Sequence, residues 1–471
     1  MTHPGFRRKA ATGPGDTALF PDTSGRRMCH HERQVFDPQG IHGGDPVSIP
    51  GGGALNDSRM HYGWVIVLAG SLTLFACLGL ARFAFGMLLP SMGKALSLEY
   101  DRMGFIGTGN FAGYLAAVAM APFFMRRFGS RATITAGLGI LSVCMLLIGS
   151  TGEFLPVLVL YTVTGVGSGL ANVPMMVVVA HWFARSRRGG ATGYMLSGNG
   201  IAIIFAGFLV PFLNRTLGPD GWRTGWRILG GLSVLVAVAA WLLLRNSPAE
   251  MGLRPVGETG NPGNPSPGNP AAGRAAPAAN PWKGIIAHLG VIYFLFGLTY
   301  MVYGTFIVTT MVAERGMAEA LAGRFWAFVG FFGLFSGPLF GSLSDRIGRK
   351  RGFMAVFAVH TVAYGLAASS LGNWTLYLSV FLYGIAAWSI PTIMGAAVVD
   401  YLGPERAAVG FSAVTFFFGA GQTLGPGLAG VVAKAAGSFS VSYLLSAVAT
   451  GIAVFVAFLL KPPRGEEAAS P

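Results

Sequence analysis

One arginine stands out as a residue that could do chemistry. The first long apolar run, Tyr62 to Leu89, reads YGWVIVLAGSLTLFACLGLARFAFGMLL, and its single charge is Arg82. A guanidinium stays protonated in proteins. At a bilayer centre it costs about 2.5–3.5 kcal/mol on insertion scales, so by default it faces a partner or a watery cavity. All 19 acidic residues fall in the tail, in loops or, for Asp400, at the end of a span, so no carboxylate lies deep enough to neutralise it. The simplest compensating group is an anionic substrate, and a carboxylate pairs with guanidinium through two parallel hydrogen bonds. The alternative is snorkelling: at 1.5 Å per residue Arg82 lies roughly 30 Å from Tyr62 and roughly 11 Å from Leu89, within reach of headgroups.

A second set of residues could complete such a site. Tyr293, Phe296, Tyr300 and Tyr303 are spaced 3, 4 and 3, which puts them on one helical face. Such a stripe is more often packing than binding, but phenol hydroxyls in lipid need partners. Asn110, Tyr114, Asn172, Asn199 and Tyr383 are further polar groups in apolar runs, each a candidate for substrate contact or for interhelical hydrogen bonding. His288 and His360 are the histidines inside spans; His288 is a candidate for proton coupling and His360 for a structural role.

Other chemistries lack their residues. There is no H-E-x-x-H, nucleophile elbow or P-loop, and the G-x-G strings follow no strand, so an enzyme is not expected. Cys29-His30-His31 has no second ligand cluster, and the three cysteines show no metal spacing; neither metal nor cofactor is expected. The net charge of +14 does not indicate nucleic acid. Residues 1–59 hold seven basic and six acidic groups, so +13 belongs to the apolar remainder and must be read loop by loop.

The elements that must position these residues are membrane helices. Hydrophobic residues make up 52% of the chain and charged ones 11%, with recurrent apolar runs of at least 18 residues. Twelve spans are predicted, at about 62–89, 104–125, 132–150, 155–181, 190–213, 226–244, 285–312, 324–344, 352–370, 375–400, 407–434 and 441–460. Residues 1–59 are Gly/Pro-rich and patternless and are expected to be a disordered tail, with Met60 the expected true start. A six-helix bundle, 60–244, is followed by a linker at 245–284 whose GNPGNPSPGNPAAGRAAPAANP stretch is too rich in Pro and Gly to pack. A second six-helix bundle, 285–461, and a tail, 462–471, complete the chain. With both termini placed in the cytoplasm, the inside loops hold 17 basic residues beyond the tail and the outside loops 8. That predicts a multi-pass inner-membrane protein.

The halves repeat. A shift of 218 places Gly79-Leu80 on Gly297-Leu298, Phe85-Gly86 on Tyr303-Gly304, and Arg82 on Tyr300. A shift of 219 places Arg127-Phe128-Gly129 on Arg346-Ile347-Gly348 and Gly165 on Gly384. Parallel six-span halves with a site between them are one transporter architecture. Glycines at spacing four (Gly109/Gly113, Gly165/Gly169, Gly333/Gly337/Gly341) suggest close helix contacts.

After the eighth span, Gly341-Ser-Leu-Ser-Asp345-Arg346-Ile-Gly348-Arg349-Lys350-Arg351 resembles the loop signature of the major facilitator superfamily. Its first-half copy, Pro122-Phe-Phe-Met-Arg126-Arg127-Phe-Gly129-Ser-Arg131, carries Arg126 in place of the acid. His181-Trp182-Phe183 through Arg187-Arg188-Gly189-Gly190-Ala191-Thr192-Gly193, then Ser197-Gly198-Asn199-Gly200, is similar to the fourth-to-fifth-span connection of monocarboxylate porters and oxalate/formate antiporters. Ser247-Pro248-Ala249-Glu250-Met251-Gly252-Leu253 resembles the exit of their sixth span. The animal monocarboxylate carriers also have a basic residue in the first span, as far from its Trp as Arg82 is from Trp64. The resemblance implies the all-α major facilitator fold, a cavity lined by the first and seventh spans, and gating by the signature loops. Asp345, with Arg346 and Arg349, would meet the start of the fifth span near Arg187 and Arg188, where the helix dipole favours an anion. Arg126 would face Glu405. One departure matters: those carriers bear an acid and an arginine in the eighth span, whereas 325–343 here has no charge, so their proton-coupling scheme does not carry over.

The function expected is secondary transport of a small organic monocarboxylate by alternating access, as proton symport or anion exchange. The partners are then that anion, a proton as candidate coupling ion, and the bilayer. The alternatives are a porter of another organic anion or amphiphile, and a membrane sensor built on a transporter body.

Overall fold

The structure, a computed structural model, describes residues 61–258, 281–403 and 405–461. The expectations for Cys29, His30, His31 and Met60, for 259–280 and for the tail 462–471 lie outside the described residues. Ten helical segments among the described residues are long and apolar enough to cross a bilayer. Two of them hold two crossings each. Tyr100–Ile148 has 49 residues, about 74 Å of helix against a hydrocarbon core of about 30 Å. It turns at Gly129, whose φ of 79° and ψ of 163° only glycine adopts readily. Ser186–Leu243 turns at Gly218–Asp220.

Twelve crossings result. They are α1 Gly63–Ala95, α2 100–128, α3 130–148, α4 Phe154–Trp182, α5 Arg185–Leu217, α6 Gly221–Leu243, α7 Lys283–Glu314, α8 Glu319–Ile347, α9 Arg349–Ala368, α10 Asn373–Leu402, α11 Ala407–Ala436 and α12 Ser440–Phe458. An even number returns the chain to the face from which α1 starts. We call that the terminus face and its opposite the far face. The repeat is visible in the backbone: Gly348, between α8 and α9, has φ 85° and ψ 153°, close to the values at its counterpart Gly129.

Glycines let helix backbones touch. A Cβ at Gly165 of α4 would lie 1.9 Å from Asn110 O of α2, and one at Gly113 would lie 2.1 Å from Thr162 O. The same device joins α5 to α8 (Gly207 and Gly323) and α2 to α11 (Gly104 against Pro426 O and Gly430).

Three crossings depart from regular helix, one of them α7, which ends in a π-helical turn at Thr310–Glu314. In α1, Phe75–Phe83 is π-helical, and the Ala84 N–H bonds back to Gly79 O, five residues earlier. In α10, expected as one span over 375–400, the helix breaks between Ala386 and Ser389. Pro391 can offer no N–H to the carbonyl four residues earlier, at Ala387. Ser336 of α8 compensates: its Oγ accepts from Trp388 N at 3.1 Å, and its carbonyl accepts from Ser389 Oγ at 3.1 Å. The ring of Trp388 fills the place a side chain at Gly333 would take.

The first part of the expected linker, 245–258, packs. Val256 N donates to Trp182 O at 2.9 Å and Val256 O accepts from Ala184 N at 3.1 Å, while Asn246 Oδ1 takes the Arg131 N–H at 2.8 Å. Its composition differs from the GNPGNP stretch beyond: Leu253 and Val256 give it an apolar side, and Pro248 starts a short 3-10 turn.

Candidate functional site

Arg82 lies in the last turn of the π-helical stretch of α1 and is 9% exposed. Its guanidinium carbon stands 4.8 Å from the centroid of the Phe111 ring and 4.4 Å from that of Tyr114, both on α2. Nε and Nη2 are buried and hydrogen-bonded to nothing. Among the described residues no carboxylate forms an ion pair with it. Aromatic faces attract a cation but cannot accept in-plane N–H groups at full strength, so those two donors remain unused.

The π turn packs tightly against α5. A Cβ at Gly79 would fall 2.0 Å from Ala202 Cβ of α5. Tyr161 of α4 donates its hydroxyl to Arg82 O at 3.4 Å and meets the Phe85 ring at a tilt, with centroids 4.6 Å apart.

Three of the polar candidates join this side. Asn172 Nδ2 donates to the Tyr114 hydroxyl at 2.7 Å, and Asn110 Nδ2 donates to Tyr161 O at 3.0 Å. Each leaves a buried Oδ1 without a donor. The α2–α4 glycine contacts fix these partners, since Gly165 abuts Asn110 and Gly169 abuts Tyr114 O. Asn199 on α5 is buried with its Oδ1 also unpaired.

The opposite wall comes from α7 and α10. Phe83, next to Arg82, meets Tyr300 at 6.3 Å and Trp388 at 5.9 Å between centroids. The stripe Tyr293, Phe296, Tyr300 and Tyr303 is buried along one face, with Phe296 stacked on Tyr300 at 5.0 Å. Two of its expected contact groups are engaged within the protein. The Tyr303 hydroxyl pairs with Ser379 Oγ at 2.7 Å, and Tyr383 donates to Tyr300 O at 3.0 Å. His360 packs its ring on Phe296 and Tyr383, and His288 Nε2 lies 2.7 Å from Val456 O.

Sequence reasoning missed Phe111, Tyr161, Phe83 and Trp388. Phe111 was findable one residue from Asn110. Pro391, two residues after Ser389, was the available sign of the break that turns Trp388 inward.

The signature residues lie on the terminus face and pair locally. Arg349 holds Asp345, Ser344 Oγ at 2.7 Å and Asp400 at 2.6 Å. Arg188 donates to Ala180 O at 2.7 Å. Asp345 does not meet Arg187 or Arg188, and no ion pair joins Arg126 to Glu405 among the described residues. Here the joined end is the far face, where Lys434 of α11 pairs with Glu99 at 2.5 Å and Asp101 at 2.8 Å, and Asn214 of α5 bonds Glu319 of α8 at 2.5 Å.

Comparison with known proteins agrees with this architecture. Residues 74–458 match the family described as "Uncharacterised MFS-type transporter YbfB". The chain is 22% identical over 392 residues to the "Probable sulfoacetate transporter SauU" of Cupriavidus necator, covering 79% of this chain and 88% of that protein. It is 21% identical over 401 residues to "Monocarboxylate transporter 2" of Rattus norvegicus, covering 82% and 80%. Among solved structures, a bacterial homolog of the human lysosomal transporter Spinster, inward-facing and unoccupied, superposes with a TM-score of 0.67 at 16% identity, over 84% of this chain and 96% of that one.

Proposed function

We propose, for a chain that belongs to the MFS-type transporter family of YbfB, that the substrate is a small organic monocarboxylate moved by alternating access. As a member of that family it is a secondary transporter and not an enzyme. The observation that carries the substrate reading is Arg82: a buried guanidinium with two unused N–H donors and no carboxylate partner. An anion that enters with its own charge relieves a cost the protein otherwise bears alone.

In this reading Arg82 takes the carboxylate through Nε and Nη2. Tyr114 and Phe111 hold the guanidinium plane, and Asn172 and Asn110 border it with free oxygens. Tyr300, backed by Tyr383 and Tyr303, forms the facing wall. The bundles 60–244 and 285–461 rock about this point, with Asp345, Arg346, Arg349, Arg126, Arg188 and Glu405 closing the terminus face in the alternate state. The distribution of basic residues supports a cytoplasmic terminus face in the inner membrane. Coupling is by proton symport or by exchange against a second anion.

A second reading keeps the same residues. A guanidinium fork fits a sulfonate as it fits a carboxylate, and one relative's name specifies sulfoacetate. Counterflow of labelled carboxylates and sulfonates in proteoliposomes, with Arg82→Lys and Arg82→Gln beside the wild type, tests both. Uptake of a monocarboxylate that survives in Arg82→Gln with unchanged affinity sinks the reading and leaves Arg82 a snorkelling residue.

A further inference from the structure

The far face contains a carboxylate that the transport reading does not use. Glu319 opens α8 and is half-buried against α5. Its Oε1 accepts from Asn214 Nδ2 at 2.5 Å, and the same amide nitrogen reaches Ser91 Oγ of α1 at 3.1 Å. One amide thus ties α1, α5 and α8 together. One turn into α8 from Glu319 the two backbones touch: a Cβ at Gly323 would lie 2.2 Å from Gly207 O. Glu319 therefore cannot regain full hydration unless α5 and α8 separate.

Among the described residues no cation pairs with it. The charged groups on the elements packed around it are Lys94 at the end of α1, Arg215 on α5, Glu314 and Arg315 before α8, and Arg324 on α8. None forms an ion pair with Glu319 among the described residues. Glu314 is occupied with Phe439 N at 2.8 Å, and Arg315 donates to Ser369 O. On the partner side, Asn214 Oδ1 is buried and lacks a donor. The pair as it stands joins one donor to one acceptor and leaves over a half-buried charge and a buried acceptor.

The geometry points to a proton-binding site: Glu319 takes up a proton from the aqueous phase at the far face as α5 closes on α8, and returns it when they part. The neutral acid keeps an oxygen for Asn214 Nδ2 and gains an O–H for an acceptor, whereas an ionised carboxylate must be dehydrated without a counter-ion to enter the same contact. Closure of the far face is then favoured by acid on that side, independently of which anion Arg82 binds.

The test uses the full chain in lipid nanodiscs without substrate, so its outcome does not depend on the substrate assignment. Spin labels at Leu217→Cys and Ala320→Cys, both exposed positions, report the α5–α8 distance; Cys77 and Cys144 are buried, and Cys29 is replaced by serine. Between about pH 5 and about pH 8 the wild-type closed fraction falls about threefold or more through one titration. Glu319→Gln, which mimics the protonated acid, stays closed across the range, and Asn214→Ala loses closed population at low pH. A wild-type distance that does not change with pH overturns the proposal, as does a Glu319→Gln variant that titrates like the wild type or stands open throughout.

Discussion

Gly86 of α1 lies against the backbone of Gly304 of α7, so close that a Cβ on Gly86 would sit 2.7 Å from Gly304 O. These are counterpart positions under the 218-residue shift. The repeat therefore meets itself one turn beyond Arg82, and the contact has no room for a side chain on Gly86. Gly86→Val is expected to force α1 and α7 apart at a cost of about 1–3 kcal/mol to the far-closed state. Spin-label distances between the far ends of the two helices check this: the closed population should fall. An unchanged distribution would show that the backbones shift to absorb the side chain.

Arg82 makes a prediction about stability that runs against ordinary mutagenesis. An unpaired buried cation destabilises the empty protein, so Arg82→Met is expected to unfold at higher temperature, by about 1 kcal/mol or more in stability. Adding the transported anion at a hundred times its Kd should stabilise the wild type by about 2.7 kcal/mol and the variant not at all. Thermal unfolding with and without anion reads both. A variant less stable than the empty wild type would show that the guanidinium is already satisfied.

Tyr114 separates ring from hydroxyl. Tyr114→Phe keeps the face that lies 4.4 Å from the guanidinium carbon and removes the acceptor used by Asn172. Tyr114→Leu removes both. The ring contributes about 1–2 kcal/mol to holding a desolvated guanidinium. Substrate affinity is therefore expected to drop a few-fold in the first variant and about 5–30-fold in the second. Equal losses in titration calorimetry would assign the role to the hydroxyl alone.

For the terminus face, charge reversal tests the proposed pairing of Arg126 with Glu405. Arg126→Glu should impair transport, and adding Glu405→Arg should partly restore it, because the pair then attracts again with reversed signs. Proteoliposome uptake by the double variant no better than by Arg126→Glu would sever the pairing.

The sequence was informative where one residue type carries one physical demand. Arg82 was visible because a charge in an apolar run needs an explanation, and Gly129 and Gly348 because the loop copies align. It was less informative where the answer depends on how helices rotate against one another. Asn110, Tyr114 and Asn172 come to one side because glycines on α2 and α4 bring those backbones into contact. Tyr303 lies on the predicted aromatic face and Tyr383 is a separate candidate, yet their hydroxyls are engaged by Ser379 and by the Tyr300 carbonyl. Whether a phenol faces a cavity or a neighbouring helix is a matter of a few tens of degrees about the axis, which spacing alone does not determine. The order in residues 245–258 was hidden by the Pro/Gly stretch that follows them.

The π-helical turn at Phe75–Phe83 has a consequence for numbering across relatives. A π turn accommodates one more residue than the α-helix it interrupts. Any relative whose first span is uninterrupted α-helix must therefore be aligned with a one-residue gap inside 75–83. Without that gap, either Trp64 or Arg82 is matched to the wrong neighbour, by about a hundred degrees of helix rotation. Deleting one residue there, for example Ala76, would remove the extra residue the turn absorbs, so that a span reverting to regular α-helix keeps its two ends in phase.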